Sequence, residues 1–345
     1  MGGTHRRDSV VMGPMMRRLE ISHPLHAALV EQSAAELEPA PGELLIAVSL
    51  VGLCRTDCEL FSGDMAYIRS GQSHYPITPG HEWVGKVAAV GSGVTSFRIG
   101  DRVVGECSLG CGSCVWCLTG RYNVCPYRRE TGLLGISGAV ADFLVFPSRS
   151  AFHVPEGVDD RDAVLAEPTA VAMHAVRKLN APSGASVLIV GAGTVGFLAA
   201  SVLRAECRDV CVVDLSPTAV ERARGIGARE PVANERFLYV IEAAGTAASM
   251  RSAVARMKSG GFLVAVGLSG QGEVPFPLDE IVIGELRLEG SVGSPNVWPD
   301  VLGLLKTVEM RPSTMVSATY ALDDAPWALR ELTAGRLKGK ILISP

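Results

Sequence analysis

The chain has 345 residues, of which 48% are hydrophobic and 20% charged, and its formal net charge is -4. That length exceeds one ordinary core and points to two domains, and the composition is that of a globular rather than a disordered chain. The charge leaves no basic footprint for nucleic acid, and no apolar run reaches the roughly 18 residues a membrane span requires.

Residues 1–20 are polar and basic, with Met15-Met16 and Arg17-Arg18, and read as a loosely held extension. The opening Met1-Gly-Gly-Thr-His-Arg-Arg-Asp8 carries no secretory, twin-arginine or myristoylation pattern, so a cytoplasmic location is expected. In that compartment the nine cysteines stay reduced, and clustering among them points to metal rather than disulfides.

A turn at Pro39–Gly42 precedes Glu43–Val51, a short apolar run with β-branched residues that reads as a buried strand. It delivers Cys54, and a ligand at a strand end is rigidly held. Thr56 is placed to take a proton from a bound alcohol, and Asp57 to orient a histidine from behind. The same Thr-Asp pair also suits a helix N-cap. Next comes Pro79-Gly-His81-Glu82, followed by glycines at 85, 91 and 93 and the turn Gly100-Asp101. One cysteine, one histidine and one or two carboxylates, Glu82 and Glu167, suit a catalytic zinc site with an open position.

Cys111, Cys114, Cys117 and Cys125 follow the spacing C-x2-C-x2-C-x7-C. Separations this short let four thiolates close a tetrahedron about 2.3 Å from one ion, which makes a structural site. Cys58, Cys107, Cys207 and Cys211 lie outside both patterns and read as buried small apolar residues. Glu167-Pro168 opens a helix through Lys178, with His174 as a packing residue.

Ser186–Val190 is a fully apolar strand, followed at once by Gly191-Ala-Gly193-Thr194-Val195-Gly196 and an apolar helix. Cys211–Asp214 then ends a second strand on an acid. This order is a dinucleotide fingerprint: the glycines admit a pyrophosphate to the helix N-terminus, and Asp214 takes the ribose hydroxyls. Asp214 would repel a 2′-phosphate, so NAD is favoured over NADP. Only Ala228–Phe237 separates the helix at 218–226 from the strand Leu238–Ile241. A strand and its crossover helix do not both fit in that length, so a five-stranded parallel sheet is expected with Asp214 on an edge strand. Beyond it read a helix Ala247–Lys258, strands Phe262–Val266 and Leu286–Val292, helical stretches at 300–308 and 323–335, and a final strand Lys340–Ile343.

The segments Gly80-His81-Glu82…Gly85…Val90-Gly91…Gly100-Asp101-Arg102-Val103, the four-cysteine lobe and the glycine-rich loop with Asp214 together resemble the zinc-dependent medium-chain alcohol dehydrogenases, from about residue 40 onward. Glu167-Pro168, where some members have a cysteine, is similar to the polyol and threonine dehydrogenase branch. The resemblance implies an α/β chain. A mainly β GroES-like catalytic domain with a zinc lobe would span 21–168 and 299–345, and a doubly wound Rossmann-type NAD domain 169–298. It implies two zinc ions, with Cys54 and His81 on the catalytic one and Glu82 or Glu167 completing the shell directly or through water. It further implies a small alcohol or ketone substrate and a homodimer or homotetramer. Two departures stand out: Glu59 replaces a histidine that ends the proton relay in many members, and the segment after Gly227 is short.

The expected reaction is NAD-dependent oxidation of a secondary alcohol of polyol, cyclitol or sugar-like kind. The alternatives are a carbonyl reductase of a biosynthetic pathway, a zinc- and nucleotide-binding protein without turnover, and a zinc-ribbon module on Cys111–Cys125. The acidic net charge argues against the last.

Overall fold

In the computed structural model, which describes residues 15–33, 37–270, 273, 275–307 and 309–345, regular structure begins inside the segment that reads as an extension. Strand β1 (Met15–His23) pairs antiparallel with β2 (His26–Ser33). Residues 15–20 are therefore part of the fold, while residues 1–14 lie outside the described ones. The basic pair conceals an alternation: Met16, Leu19 and Ile21 face the core. Arg17 is held by Asp142, which accepts from its backbone N–H at 2.6 Å and from Nη2 at 2.8 Å. A partner 125 positions away is invisible in the local pattern.

The central strand β3 (Glu43–Leu53) leads into α1 (Arg55–Ser62) and α2 (Ala66–Arg69). Then come β4 (Glu82–Val90) and β5 (Arg102–Gly105). The cysteine lobe follows, with β6 (Ser108–Leu109), α3 (Val115–Leu118), β7 (Arg129–Thr131) and β8 (Gly135–Ile136). β9 (Phe143–Pro147) and β10 (Ala151–His153) return to the main sheet. That sheet has seven strands in the order β10-β5-β4-β3-β17-β16, with β9 also on β3. Its last two members, β16 (Val316–Ala321) and β17 (Lys340–Ser344), flank α11 (Ala325–Thr333). Leu44, Ile46, Val51, Phe146, Ile341 and Ile343 are fully buried between these layers. Each contributes about 1.5–3 kcal/mol of burial.

Helices α4 (Asp160–Ala163) and α5 (Ala166–Leu179) connect to the second sheet. The expected helix from Glu167-Pro168 is present, and burial lowers the pKa of half-buried His174 to about 4, with Lys178 adding to the effect. The second sheet comprises β11 (Ser186–Val190), β12 (Asp209–Val213), β13 (Phe237–Glu242), β14 (Met257–Ala265) and β15 (Arg287–Gly290). Between them run α6 (Thr194–Ala205), α7 (Pro217–Gly225), α8 (Ala247–Ala255) and α9 (Leu278–Ile283), and α10 (Trp298–Leu304) follows β15. All pairings are parallel, in the order β12-β11-β13-β14-β15. α8 ends at Ala255 rather than Lys258, because Met257 already pairs with Phe237. Of the isolated cysteines, Cys107 and Cys211 are buried and Cys58 is half-buried. Cys207 is exposed, a correction explained by its left-handed position just after α6 (φ 57°).

The five-strand expectation holds, with one refinement at the edge. Arg229 makes a single parallel bridge to Cys211, accepting from Val212 N–H at 2.8 Å and donating to Val210 C=O at 2.9 Å. One residue thus covers the edge of β12 where a full strand would otherwise lie. Its guanidinium is clamped by Asp209 and by Glu235, at 2.9 and 2.7 Å.

Candidate metal and cofactor sites

β3 ends at Leu53, and Cys54 N-caps α1. Asp57 at the third helical position accepts the Cys54 N–H at 2.8 Å and, with its other oxygen, the Gly80 N–H at 3.0 Å. This fully buried carboxylate ties together the two backbone segments that carry Cys54 and His81. It lies 3.7 Å from His81 Nδ1, too far for a hydrogen bond. It therefore positions the histidine through its backbone rather than through the ring, and the cap residue is Cys54 rather than Thr56 or Asp57.

β4 begins at Glu82, which pairs with Gly52 on β3. A Cβ at position 52 would collide with Glu82 Oε2, so the glycine makes room for the carboxylate. The ligand atoms of Cys54, His81 and Glu82 all lie within 4.8 Å of one another. Glu167, buried in the first turn of α5, is outside that set, and burial pushes it up to about 7. His81 Nδ1 is buried without a hydrogen-bond partner. A soft thiolate, an imidazole with a spare nitrogen and a carboxylate are a donor set that fits zinc. Thr56 Oγ1 sits 3.8 Å from Cys54 Sγ, beside the cluster. Glu59 pairs with Arg55 at 3.2 Å.

Sequence reasoning passed over Lys340. β17 lies beside β3, with Ile341 opposite Leu53, and this register places the Lys340 ammonium under the cluster. Nζ donates to both Glu82 oxygens at 2.7 Å and to Leu53 C=O at 3.1 Å, and the residue is 2% exposed. Only the apolar strand Lys340–Ile343 was legible. A lysine opening a buried strand was the one signal available.

In the lobe, three Sγ–Sγ separations are 3.6 Å (Cys114–Cys117), 3.6 Å (Cys114–Cys125) and 3.9 Å (Cys111–Cys117). A tetrahedron with Zn–S near 2.3 Å has edges of about 3.8 Å, so the four sulfurs already have the dimensions of a closed zinc site.

On the second sheet, Gly191 turns with φ 99°, and a Cβ at Gly196 would meet the Gly191 carbonyl. Nothing lies within 4 Å of a Cβ built on Gly193, the N-cap of α6, and no side chain caps that helix. The first-turn N–H groups, those of Thr194 and Val195 among them, thus border open space of the kind a pyrophosphate fills. Asp214 follows β12 and accepts from Ala192 N–H at 2.6 Å and Ser216 N–H at 2.7 Å. The acid is fixed to the glycine-rich loop, and Leu215 beside it is fully exposed.

The family description "Alcohol dehydrogenase GroES-like domain" matches residues 40–156, and "Zinc-binding dehydrogenase" matches residues 193–307. A sorbitol dehydrogenase of Halalkalibacterium halodurans is 30% identical over 333 residues, covering 89% of this chain and 94% of that protein. An L-threonine 3-dehydrogenase of Alteromonas mediterranea is 28% identical, covering 90% and 95%. Among solved structures, a zinc-binding dehydrogenase from Sinorhizobium meliloti 1021 bound to NADP superposes with a TM-score of 0.86 at 28% identity, covering 96% of this chain and all of that one (100%). No helix among the described residues is long and apolar enough to cross a membrane.

Proposed function

Because the chain belongs to the zinc-dependent medium-chain alcohol dehydrogenase family, we propose that it transfers hydride between NAD and a secondary alcohol of polyol, cyclitol or sugar-like kind. The observation that carries this reading is the convergence of Cys54, His81 and Glu82 within 4.8 Å at the end of β3. These three would hold zinc, and Glu167 would complete the shell directly or through water. Zinc so held supplies Lewis-acid polarisation of the substrate oxygen, and NAD supplies the hydride acceptor.

The chain's own residues do the rest. Thr56 relays the hydroxyl proton, receiving it as its own proton passes on to solvent, and Asp57 fixes the spacing of Cys54 and His81 through their backbones. Lys340 neutralises Glu82, so that the cluster does not carry an unopposed extra charge. Glu59 is engaged with Arg55. Gly191, Gly193, Thr194, Val195 and Gly196 receive the pyrophosphate, and Asp214 with exposed Leu215 favours NAD, since neither side chain can hold a 2′-phosphate. Cys111, Cys114, Cys117 and Cys125 hold the second zinc.

The domain division is 21–168 with 299–345 around the first sheet, extended back to Met15 by β1, and 169–298 around the second. The outer edge of β15, unpaired among the described residues, and exposed Leu278, Val282 and Ile283 on neighbouring α9 support a homodimer or homotetramer. Four thiols gathered as ligands, with all nine cysteines free, support a reducing, cytoplasmic setting.

The test is NADH absorbance with polyols, aminocyclitols and simple secondary alcohols, run in both directions on zinc-loaded protein. Turnover with at least one of these classes, lost in Cys54→Ala, is expected. Failure of every class in both directions would remove the reading.

A further inference from the structure

Residues 291–298 leave the C-terminal end of β15, the end at which open parallel sheets bind their ligands. Beyond Ser291, whose N–H still donates to Ala265 C=O of its own sheet at 2.8 Å, this segment is fastened to the cysteine lobe. Asn123 Nδ2 donates to Val292 C=O at 2.8 Å, Asn296 Nδ2 to Gly120 C=O at 2.8 Å, and Asn296 N–H to Tyr122 Oη at 3.1 Å. Tyr122 Oη donates in turn to Glu106 Oε2 at 3.0 Å, and Ser294 Oγ to Glu106 Oε1 at 3.2 Å. Glu106, on the chain between β5 and β6, is 3% exposed. Tyr122, Glu106 and Asn296 therefore form one joint between the two halves of the molecule.

Two features make this joint decisive for where the segment sits. Beside it lies a pocket of ≈ 200 Å³ lined by Glu106, Ser108, Tyr122 and Arg149, so solid packing does not fix Tyr122 on that side. Tyr122 and Asn123 also lie between Cys117 and Cys125, so their positions depend on whatever holds the four sulfurs together.

We propose that Tyr122 is a positioning residue for the cofactor cleft: through Glu106 and Asn296 it couples the metal-holding lobe to the wall that follows β15. The lobe metal then acts on nucleotide affinity as well as on local stability. The cofactor half of this inference rests on the function proposed above; the mechanical half does not.

The test combines NADH titration by tryptophan fluorescence with amide hydrogen exchange, on zinc-loaded protein, for Tyr122→Phe and Asn296→Ala. Both variants are expected to weaken NADH binding about tenfold, equivalent to about 1.4 kcal/mol, with kcat within about twofold. Exchange across 291–298 should accelerate while β11 stays protected. Extracting the lobe metal from the unaltered protein should accelerate the same segment. Unchanged exchange in 291–298 on metal extraction would overturn the coupling, as would unchanged NADH affinity in both variants. If Tyr122→Phe fails to fold or loses the lobe metal, Asn296→Ala, which lies outside the lobe, decides alone by the same criteria. An unaltered protein that binds no NADH counts against the proposed function, and the exchange result then decides the joint separately.

Discussion

Lys340 and Glu82 face each other with almost no solvent access, and the consequences of that pairing are testable. A buried pair broken on one side costs about 3–5 kcal/mol, because the remaining charge is stranded. Lys340→Met should impose that loss on metal-free protein. In the zinc-loaded form the metal replaces the ammonium as counter-charge, so the loss should be smaller and zinc should leave more slowly. Denaturant melts of both forms check this, and equal losses with and without zinc would contradict the competition between lysine and metal for Glu82. Asp214 gives a second residue-scale expectation. Asp214→Ser should narrow the preference for NAD over NADP roughly tenfold, as an unfavourable contact of about 1.4 kcal/mol is relieved. It should also weaken both cofactors, because Asp214 supports the glycine-rich loop through the Ala192 N–H. Dissociation constants for the two cofactors separate these effects.

The abbreviated crossover between α7 and β13 is the clearest departure at the scale of elements. Where a longer chain would build a strand and a helix, this one uses Arg229 as a bracket against Asp209 and Glu235. Asp209 also accepts from Ser186 Oγ on β11, so the bracket reaches the second strand of the sheet. The groups are half-exposed, so the network is worth little per pair. Arg229→Ala should therefore lower the melting temperature by only about 2–4 °C at neutral pH, as expected for a loss near 1 kcal/mol. The sign with pH is fixed: hydrogen bonding from Arg229 holds both carboxyls below their ordinary values of 3.8 and 4.5. Their contribution is present above those values and is lost as pH falls through the lowered ones. Thermal melts of the two proteins should converge on acidification, and a gap that stays constant down to about pH 2 would assign Arg229 a purely packing role.

Across the whole molecule, what could be read in the sequence was what lies close together along the chain. The C-x2-C-x2-C-x7-C spacing and the order strand, glycines, helix, acid are local, and the lobe and nucleotide loop are built from them directly. His81 and Glu82 were legible for the same reason. Lys340, the backbone target of Asp57 and the Asp142 anchor of β1 were not, because each depends on a partner brought near by tertiary pairing. The same reasoning separates the two metals. Under the proposed function, four thiolates would close one site, whereas the other would keep an exchangeable position. Mild chelation should leave about one zinc per chain in a folded, inactive protein, measurable by metal analysis beside circular dichroism. Simultaneous loss of both metals with unfolding would erase the distinction.

The insertion of β17 beside β3 also has a temporal side. Cys54, His81 and Glu82 leave the ribosome within a short interval, while Lys340 is 258 positions behind Glu82. Because chains fold from the N-terminus as they emerge, a growing polypeptide presents the three donors with no ammonium to oppose Glu82. Synthesis therefore opens a window in which the carboxylate can turn to a metal ion unopposed, and the arrival of Lys340 turns that step into a competition. Zinc present during translation should load the catalytic position faster than zinc added to finished apoprotein, and Lys340→Met should abolish that difference.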